Sequence, residues 1–205
     1  MPAIPCAPLR RAFLASGCVA AVWMSPVQAE VSPAAGLPLE EQVLICGACH
    51  GDDGNSTQSR IPSLAGQPAL TITNQMIYFR ERLRQAEEMT PQARGLSDAE
   101  IQALAAYYAE QPVAEPEGER DEALAERGRE LSRQQRCASC HGSEYRGRDQ
   151  MPRLAGQRED YLVHAMQAYR DRTRGGPDTT MIDIMRGIDD EQIEALAHYL
   201  THFAR

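Results

Sequence analysis

Lysine is absent from the 205-residue chain, so all 21 basic residues are arginines, against 29 acidic residues and a formal charge of −8. That balance excludes a nucleic-acid binder, which would present a basic face to phosphates. Aromatic residues are scarce, at 5% of the chain. Two domains of about 80 to 100 residues with so few rings need help from a staple, a metal or a cofactor to build their cores. Glycine and proline, 15 and 13 residues, are too few for a collagen-like or low-complexity chain. Long apolar runs are missing too: beyond the first 29 residues nothing has the length of a membrane span.

What is present begins with a leader. Arg10 and Arg11 precede an apolar run from Ala12 to Met24, and Val27-Gln28-Ala29 places small residues for cleavage after Ala29. Residues 1–29 therefore read as a secretory signal peptide, with an apolar run too short for a transmembrane helix. Two minor readings accompany it. Arg10-Arg11-Ala12-Phe13-Leu14 looks somewhat like a twin-arginine signal, and Leu14-Ala15-Ser16-Gly17-Cys18 somewhat like a lipoprotein box. The leucine of that box sits four residues before Cys18, where three is the rule, so the expected product is exported with at most loose or lipid-anchored membrane association.

Cys6 and Cys18 leave with the leader. The other four cysteines stand as Cys46-Gly47-Ala48-Cys49-His50 and Cys137-Ala138-Ser139-Cys140-His141, each a C-x-x-C-H haem-attachment sequence. Two thiols one helical turn apart each form a thioether to one porphyrin, and the adjacent histidine turns a ring nitrogen towards the iron. The rival readings are weaker. A shared four-cysteine zinc site would have to bridge 87 intervening residues. A thioredoxin-like motif lacks its βαβ setting, and two disulfides leave both histidines unexplained.

The chain also repeats itself. Cys46 pairs with Cys137 at an offset of 91, and Pro62-Ser63-Leu64-Ala65-Gly66-Gln67 with Pro152-Arg153-Leu154-Ala155-Gly156-Gln157 at 90. Met76 and Arg80 pair with Met166 and Arg170 at the same offset of 90, and Ile101, Leu104, Ala105 and Tyr107 with Ile193, Leu196, Ala197 and Tyr199 at 92. The expectation is a first unit over 37–111, a proline-rich acidic linker over 112–120 and a second unit over 121–205.

Each unit reads as helices joined by loops, with no strand alternation. In unit one a helix leads into Cys46, a second spans about 68–86, and a third begins at a Ser97/Glu100 capping box with Ile101, Leu104, Ala105 and Tyr108 on one face. In unit two Gly128 lies on the helix leading to Cys137, and Asp189 caps the last helix. The fold class is all-α, each helix set wrapping one haem.

Each iron needs a second axial ligand or an open site. Unit one has no histidine besides His50, so its candidates are Met76, read as core, and Met89, in the loop before the third helix. Unit two offers Met151, Met166, Met181, Met185, His164, His198 and His202. Met166 is the twin of Met76, and His198 and His202 read as surface residues. Met89 precedes Leu96 by seven residues and Met181 precedes Ile188 by seven, whereas Met185 precedes it by three. Repeat geometry favours Met181 and leaves Met185 as the alternative. Pro62 and Pro152 are placed to hold a backbone carbonyl against the other nitrogen of the proximal imidazole.

Paired CxxCH motifs, each followed by P-x-L-A-G-Q, a methionine loop and a helix opening like Leu96-Ser97-Asp98, resemble the cytochrome c4 family, whose members are two-haem, two-domain class I cytochromes c of the bacterial periplasm. The resemblance covers nearly all of the chain after the leader. It implies two covalent haem c groups, one on Cys46 and Cys49 with axial His50 and Met89, the other on Cys137 and Cys140 with axial His141 and Met181. It also implies a periplasmic electron carrier between a quinol-oxidising complex (a quinol:cytochrome c reductase) and terminal oxidases. The rival roles are the electron-accepting subunit of a dehydrogenase, such as a flavoprotein sulfide dehydrogenase, and a small peroxidase or thiosulfate-oxidising enzyme with an open iron. Glu40 and Glu41 stand where the family tends to have glycine, and Thr71 stands where unit two has Tyr161. Residues 30–112 carry 11 acidic and 5 basic residues and residues 121–205 carry 15 and 13, an asymmetry suited to docking different redox partners at the two ends.

Overall fold

The computed structural model describes residues 31–203; the expected leader and its cleavage after Ala29 lie outside them. The described residues form nine helices and no strand. The first set is α1 (Leu39–His50), α2 (Ala69–Arg80), α3 (Met89–Ala93) and α4 (Asp98–Ala109). The second is α5 (Glu122–Gln134), α6 (Ala138–His141), α7 (Glu159–Arg170), α8 (Thr180–Ile184) and α9 (Asp190–Thr201). The two hydrophobic cores follow the repeat. Val43, Ile72, Leu96, Ile101, Leu104 and Tyr108 fill one, while Leu162, Met166, Met185, Ile193, Leu196 and Leu200 are among those filling the other.

Local chemistry sets the helix ends. Ser97 Oγ accepts from Glu100 N at 3.3 Å while Ser97 N donates to Glu100 Oε2 at 2.7 Å, the capping box expected at the start of α4. Asp189 and Gln192 repeat it at α9. The second helix is shorter than expected, ending at Arg80, because Arg82 takes a left-handed φ of 57° and Arg84 N returns to Tyr78 O at 3.0 Å. Its twin Arg172 has φ 58° and turns the chain in the same way after α7.

The first and last helices of unit two cross closely. A Cβ on Gly128 would lie 2.0 Å from Ala195 O and 2.6 Å from Tyr199 Cβ. Unit one has no glycine at the matching position. The residue nine before Cys46 is Leu37, ahead of α1, and Glu40 and Glu41 lie exposed in the first helical turn. A polar knot takes its place: buried Gln42 donates through Nε2 to Ala34 O at 3.0 Å and to Glu100 Oε1 at 2.8 Å.

The surface reading of His198 and His202 is overturned. His198 is 5% exposed and the His202 side chain 7%. The end of α9 packs under the start of α5. The backbone N–H of its N-cap, Asp121, donates to His198 Nε2 at 2.9 Å. That N–H can only donate, so the ring proton sits on Nδ1 and points at Glu159 Oε2, 3.0 Å away. Both nitrogens of His198 are thus engaged in locking helix ends, and neither offers a metal a free lone pair.

Gly128→Ala is expected to destabilise the protein by about 1–3 kcal/mol, since overpacking against backbone outweighs the gain of up to about 1 kcal/mol in helix propensity. The denaturant midpoint of unfolding checks it.

Candidate functional site

Cys46, Cys49 and His50 occupy the last turn of α1, which places three reactive side chains at i, i+3 and i+4 on one helical face. In unit two Cys137 precedes α6, and Cys140 and His141 lie within it. Gly51 and Gly142, at φ 82° and 84°, end these helices at once and turn the chain away from the histidine. No disulfide joins Cys46, Cys49, Cys137 or Cys140, which removes the disulfide reading. Burial pushes the Cys46 and Cys137 thiols above their ordinary value.

The two imidazoles are held alike. His50 Nδ1 lies 2.9 Å from Pro62 O, and His141 Nδ1 lies 2.9 Å from Pro152 O. A carbonyl only accepts, so each Nδ1 carries the proton and each Nε2 carries the lone pair. Burial lowers both histidine pKa values, outweighing the carbonyl bond that raises them. Both rings are therefore neutral at pH 7, the state that ligates a metal.

The candidate axial methionines differ in setting. Met89 opens α3 and Met181 lies within α8, so each expected loop contains a short helix. Met181 is half-buried at the edge of the unit-two core, whereas Met185 is 3% exposed inside it. Met166 is buried there too, and Met76 packs against the unit-one core, both as core residues should. An unexpected pair of anchors spans the methionine segments. Arg80 Nη1 donates to Leu96 O at 2.9 Å and meets Asp98 at 2.8 Å, and Arg170 Nη1 repeats this with Ile188 O at 3.4 Å and Asp190 at 2.7 Å. Their pairing was visible in the repeat; their role was not.

The P-x-L-A-G-Q block also joins the two units. Gln67 donates to Arg153 O at 3.0 Å and accepts from Arg153 N at 2.9 Å. Gln157 donates to Ser63 O at 2.8 Å and accepts from Ser63 N at 2.8 Å. Ser63 and Arg153 are twins, as are the two glutamines, so the contact is reciprocal and buried.

The surroundings fit a porphyrin. Cys46 and Cys137 border the two apolar cores, and the hydroxyl of Tyr108 in the unit-one core is buried with no hydrogen-bond partner among the described residues. An isolated protein core would pay for such an orphan, whereas a bound polar cofactor can satisfy it.

Two helical units, each with a CxxCH motif on a helix end and its imidazole fixed by a proline carbonyl, define a two-domain c-type cytochrome. Comparison with known proteins agrees. Residues 125–204 match the family Cytochrome c, and residues 40–107 match the family Cytochrome C oxidase, cbb3-type, subunit III. The chain is 36% identical to cytochrome c4 of Thiocapsa roseopersicina, over 76% of this chain and 85% of that one. It is 30% identical to the thiosulfate dehydrogenase electron acceptor of Thiomonas intermedia, over 95% and 91%. The crystal structure of reduced recombinant cytochrome c4 from Pseudomonas stutzeri superposes with a TM-score of 0.75 at 29% identity, covering 81% of this chain and 97% of that one. The protein belongs to the cytochrome c4 family. It carries two covalent haem c groups and is a di-haem, cytochrome c4-like electron carrier.

Replacing Gln157 with leucine leaves the buried N–H and C=O of Ser63 without their partners. The expected loss is about 1–3 kcal/mol. It reads as a lower denaturant midpoint followed by haem absorbance.

Proposed function

We propose that the chain shuttles electrons in the periplasm from a quinol-oxidising complex towards terminal oxidases, with no substrate chemistry of its own. The matching Nδ1-to-carbonyl bonds of His50 and His141 carry this reading, since they leave both Nε2 atoms free as axial donors. Cys46 and Cys49 would tether one haem and Cys137 and Cys140 the other, and Met89 and Met181 would supply the sulfur ligands. A haem iron with both axial positions filled cycles between ferrous and ferric states, and methionine favours the ferrous one. The chain's residues contribute the tether, the ring orientation and the exclusion of water. Export with cleavage after Ala29 completes the reading. No helix among the described residues is long and apolar enough to cross a membrane.

A second direction of electron flow has its own support. The Thiomonas relative bears the name thiosulfate dehydrogenase electron acceptor, which favours a role as acceptor for a dehydrogenase. The more acidic first unit and the nearly balanced second suit different docking partners, one at each end. Reduction rates measured with a quinol-oxidising complex and with a thiosulfate dehydrogenase separate the two directions.

The purified protein is expected to show two c-type haems per chain and the weak far-red band of methionine–ferric ligation. Met181→Leu removes about half of that band, and Met185→Leu leaves it whole; the reverse pattern assigns Met185. Loss of the band in neither variant, or carbon monoxide binding by the reduced native protein, counts against filled axial positions and favours an enzyme.

A further inference from the structure

The repeat exchanges one aromatic ring between two positions. Gly54 pairs with Tyr145 at an offset of 91, and Tyr108 pairs with Leu200 at an offset of 92. Gly54 and Tyr145 hold the same place in the chain. Both have a left-handed φ, 78° and 52°, and each carbonyl accepts from two backbone N–H groups, those of Leu64 and Ala65 in unit one and of Leu154 and Ala155 in unit two. In unit two the ring stands on this loop residue and α9 contributes a leucine. In unit one the loop residue has no side chain and the ring comes from α4. The two halves of the exchange touch, since a Cβ on Gly54 would lie 2.7 Å from Tyr108 Cδ1. Tyr107 packs edge-on against the same ring, with centroids 5.1 Å apart.

The exchange conserves bulk but not hydrogen bonding. Tyr145 Oη meets Ser132 Oγ at 2.8 Å, whereas the twin of Ser132 is Glu41, exposed at the start of α1. Tyr108 is 1% exposed, and its hydroxyl has no partner among the described residues. Burial above all pushes the phenol pKa up, so the oxygen keeps its proton and stays a donor. A buried donor without an acceptor bears the full cost of its desolvation, and phenylalanine would fill the same space without that cost. Among the groups whose charge acts on this phenol, Cys46 is the strongest, and Cys46 borders the same core. It is also one of the two cysteines that would carry the first haem. The acceptor missing from the protein is therefore sought on the cofactor.

We infer that the Tyr108 hydroxyl donates a hydrogen bond to the first haem group and raises that haem's potential, a contact that Leu200 cannot make to the second. This rests on the two-haem reading and goes beyond it by assigning one residue to a difference between the sites. A donor to the haem group draws electron density from it, which stabilises the added electron of the ferrous state. The effect belongs to unit one alone and resides in a single oxygen atom.

Tyr108→Phe removes that oxygen and keeps the ring. Potentiometric titration of the haem-loaded protein tests it, with each step assigned to its unit by proton NMR of the haem methyl groups. The ferrous-to-ferric equilibrium of the first haem is expected to fall by up to about tenfold, with the second unmoved. Tyr108→Leu, which copies Leu200, is expected to lower the same step. In the wild type the Tyr108 hydroxyl proton is expected to exchange slowly and to show a nuclear Overhauser contact with a proton of the first haem; this measurement carries the test should the variants fail to mature, and absence of the contact overturns the inference. Unmoved potentials with a raised denaturant midpoint in Tyr108→Phe show a hydroxyl without an acceptor, and unmoved potentials with a lowered midpoint show one bonded to a trapped water. Either result overturns the inference and leaves the electron-carrier reading standing. A rise at either haem, or an equal shift at both, overturns it too. A wild-type chain with fewer than two haems overturns the carrier reading and the inference with it.

Discussion

Each unit hangs on a bond between an imidazole proton and a proline carbonyl. The bonds from His50 to Pro62 O and from His141 to Pro152 O set the ring tautomer, and with it the direction of the Nε2 lone pair. A CxxCH tether alone holds a histidine near a porphyrin but does not fix its rotation. The carbonyl does so because its own segment is pinned elsewhere. Four residues on, Gly66 N donates to Tyr108 O at 2.9 Å and Gly156 N to Leu200 O at 3.3 Å, tying the block to α4 and α9. The next residue, Gln67 or Gln157, crosses to the other unit. One hexapeptide therefore links a histidine, the last helix of its own unit and the neighbouring unit. Movement in any of the three is felt by the ring.

The duplication has diverged around this shared frame. Unit two closes its first and last helices over Gly128, where there is no room for a Cβ; unit one closes with the Gln42–Glu100 knot. The tyrosine hydroxyls differ as well. Tyr145 Oη is 2.8 Å from Ser132 Oγ, while Tyr108 Oη has no partner among the described residues. Polarity and hydrogen bonding around a haem tune its potential, so twin sites with unlike surroundings are not electrically equivalent. The scaffold is repeated, and the environment is not.

How much was legible in the sequence follows from the range of each interaction. The haem motifs, the Ser97–Glu100 capping box and the proline turns are local patterns whose chemistry is complete within a few residues, and they read directly. The pairing of Gln67 with Gln157 as twins was legible, but their contact was not, because repeat similarity shows kinship and not proximity. His198 looked like a surface residue near a chain end. Its partners are distant in the chain, the N–H of Asp121 ahead of α5 and the carboxylate of Glu159 on α7, 77 and 39 residues away. The early end of α2 had no helix-breaking residue to announce it. Arg82 takes a left-handed conformation because the turn carries Arg84 back beneath Phe79, a tertiary demand that overrides local propensity.

The absence of lysine gains meaning at the junction of the units. Arg153 donates through Nη2 to Ala65 O at 2.8 Å in the first unit and through Nη1 to Ala155 O in its own, a two-pronged bridge that requires a rigid fork. Arg84 and Arg174 lie over aromatic rings while donating to Gln75 Oε1 and Tyr161 Oη. An ammonium is compact and strongly hydrated; it has no planar fork to stack on a ring or to hold two carbonyls in a fixed geometry, and it surrenders more hydration on burial. Guanidinium is the cation that a dry, two-sided interface can hold in a fixed orientation. A fixed cation among backbone carbonyls and side-chain amides already tied by hydrogen bonds has little freedom to reorient when a nearby charge changes. Such a preorganised polar setting suits a protein whose work is the repeated gain and loss of single electrons.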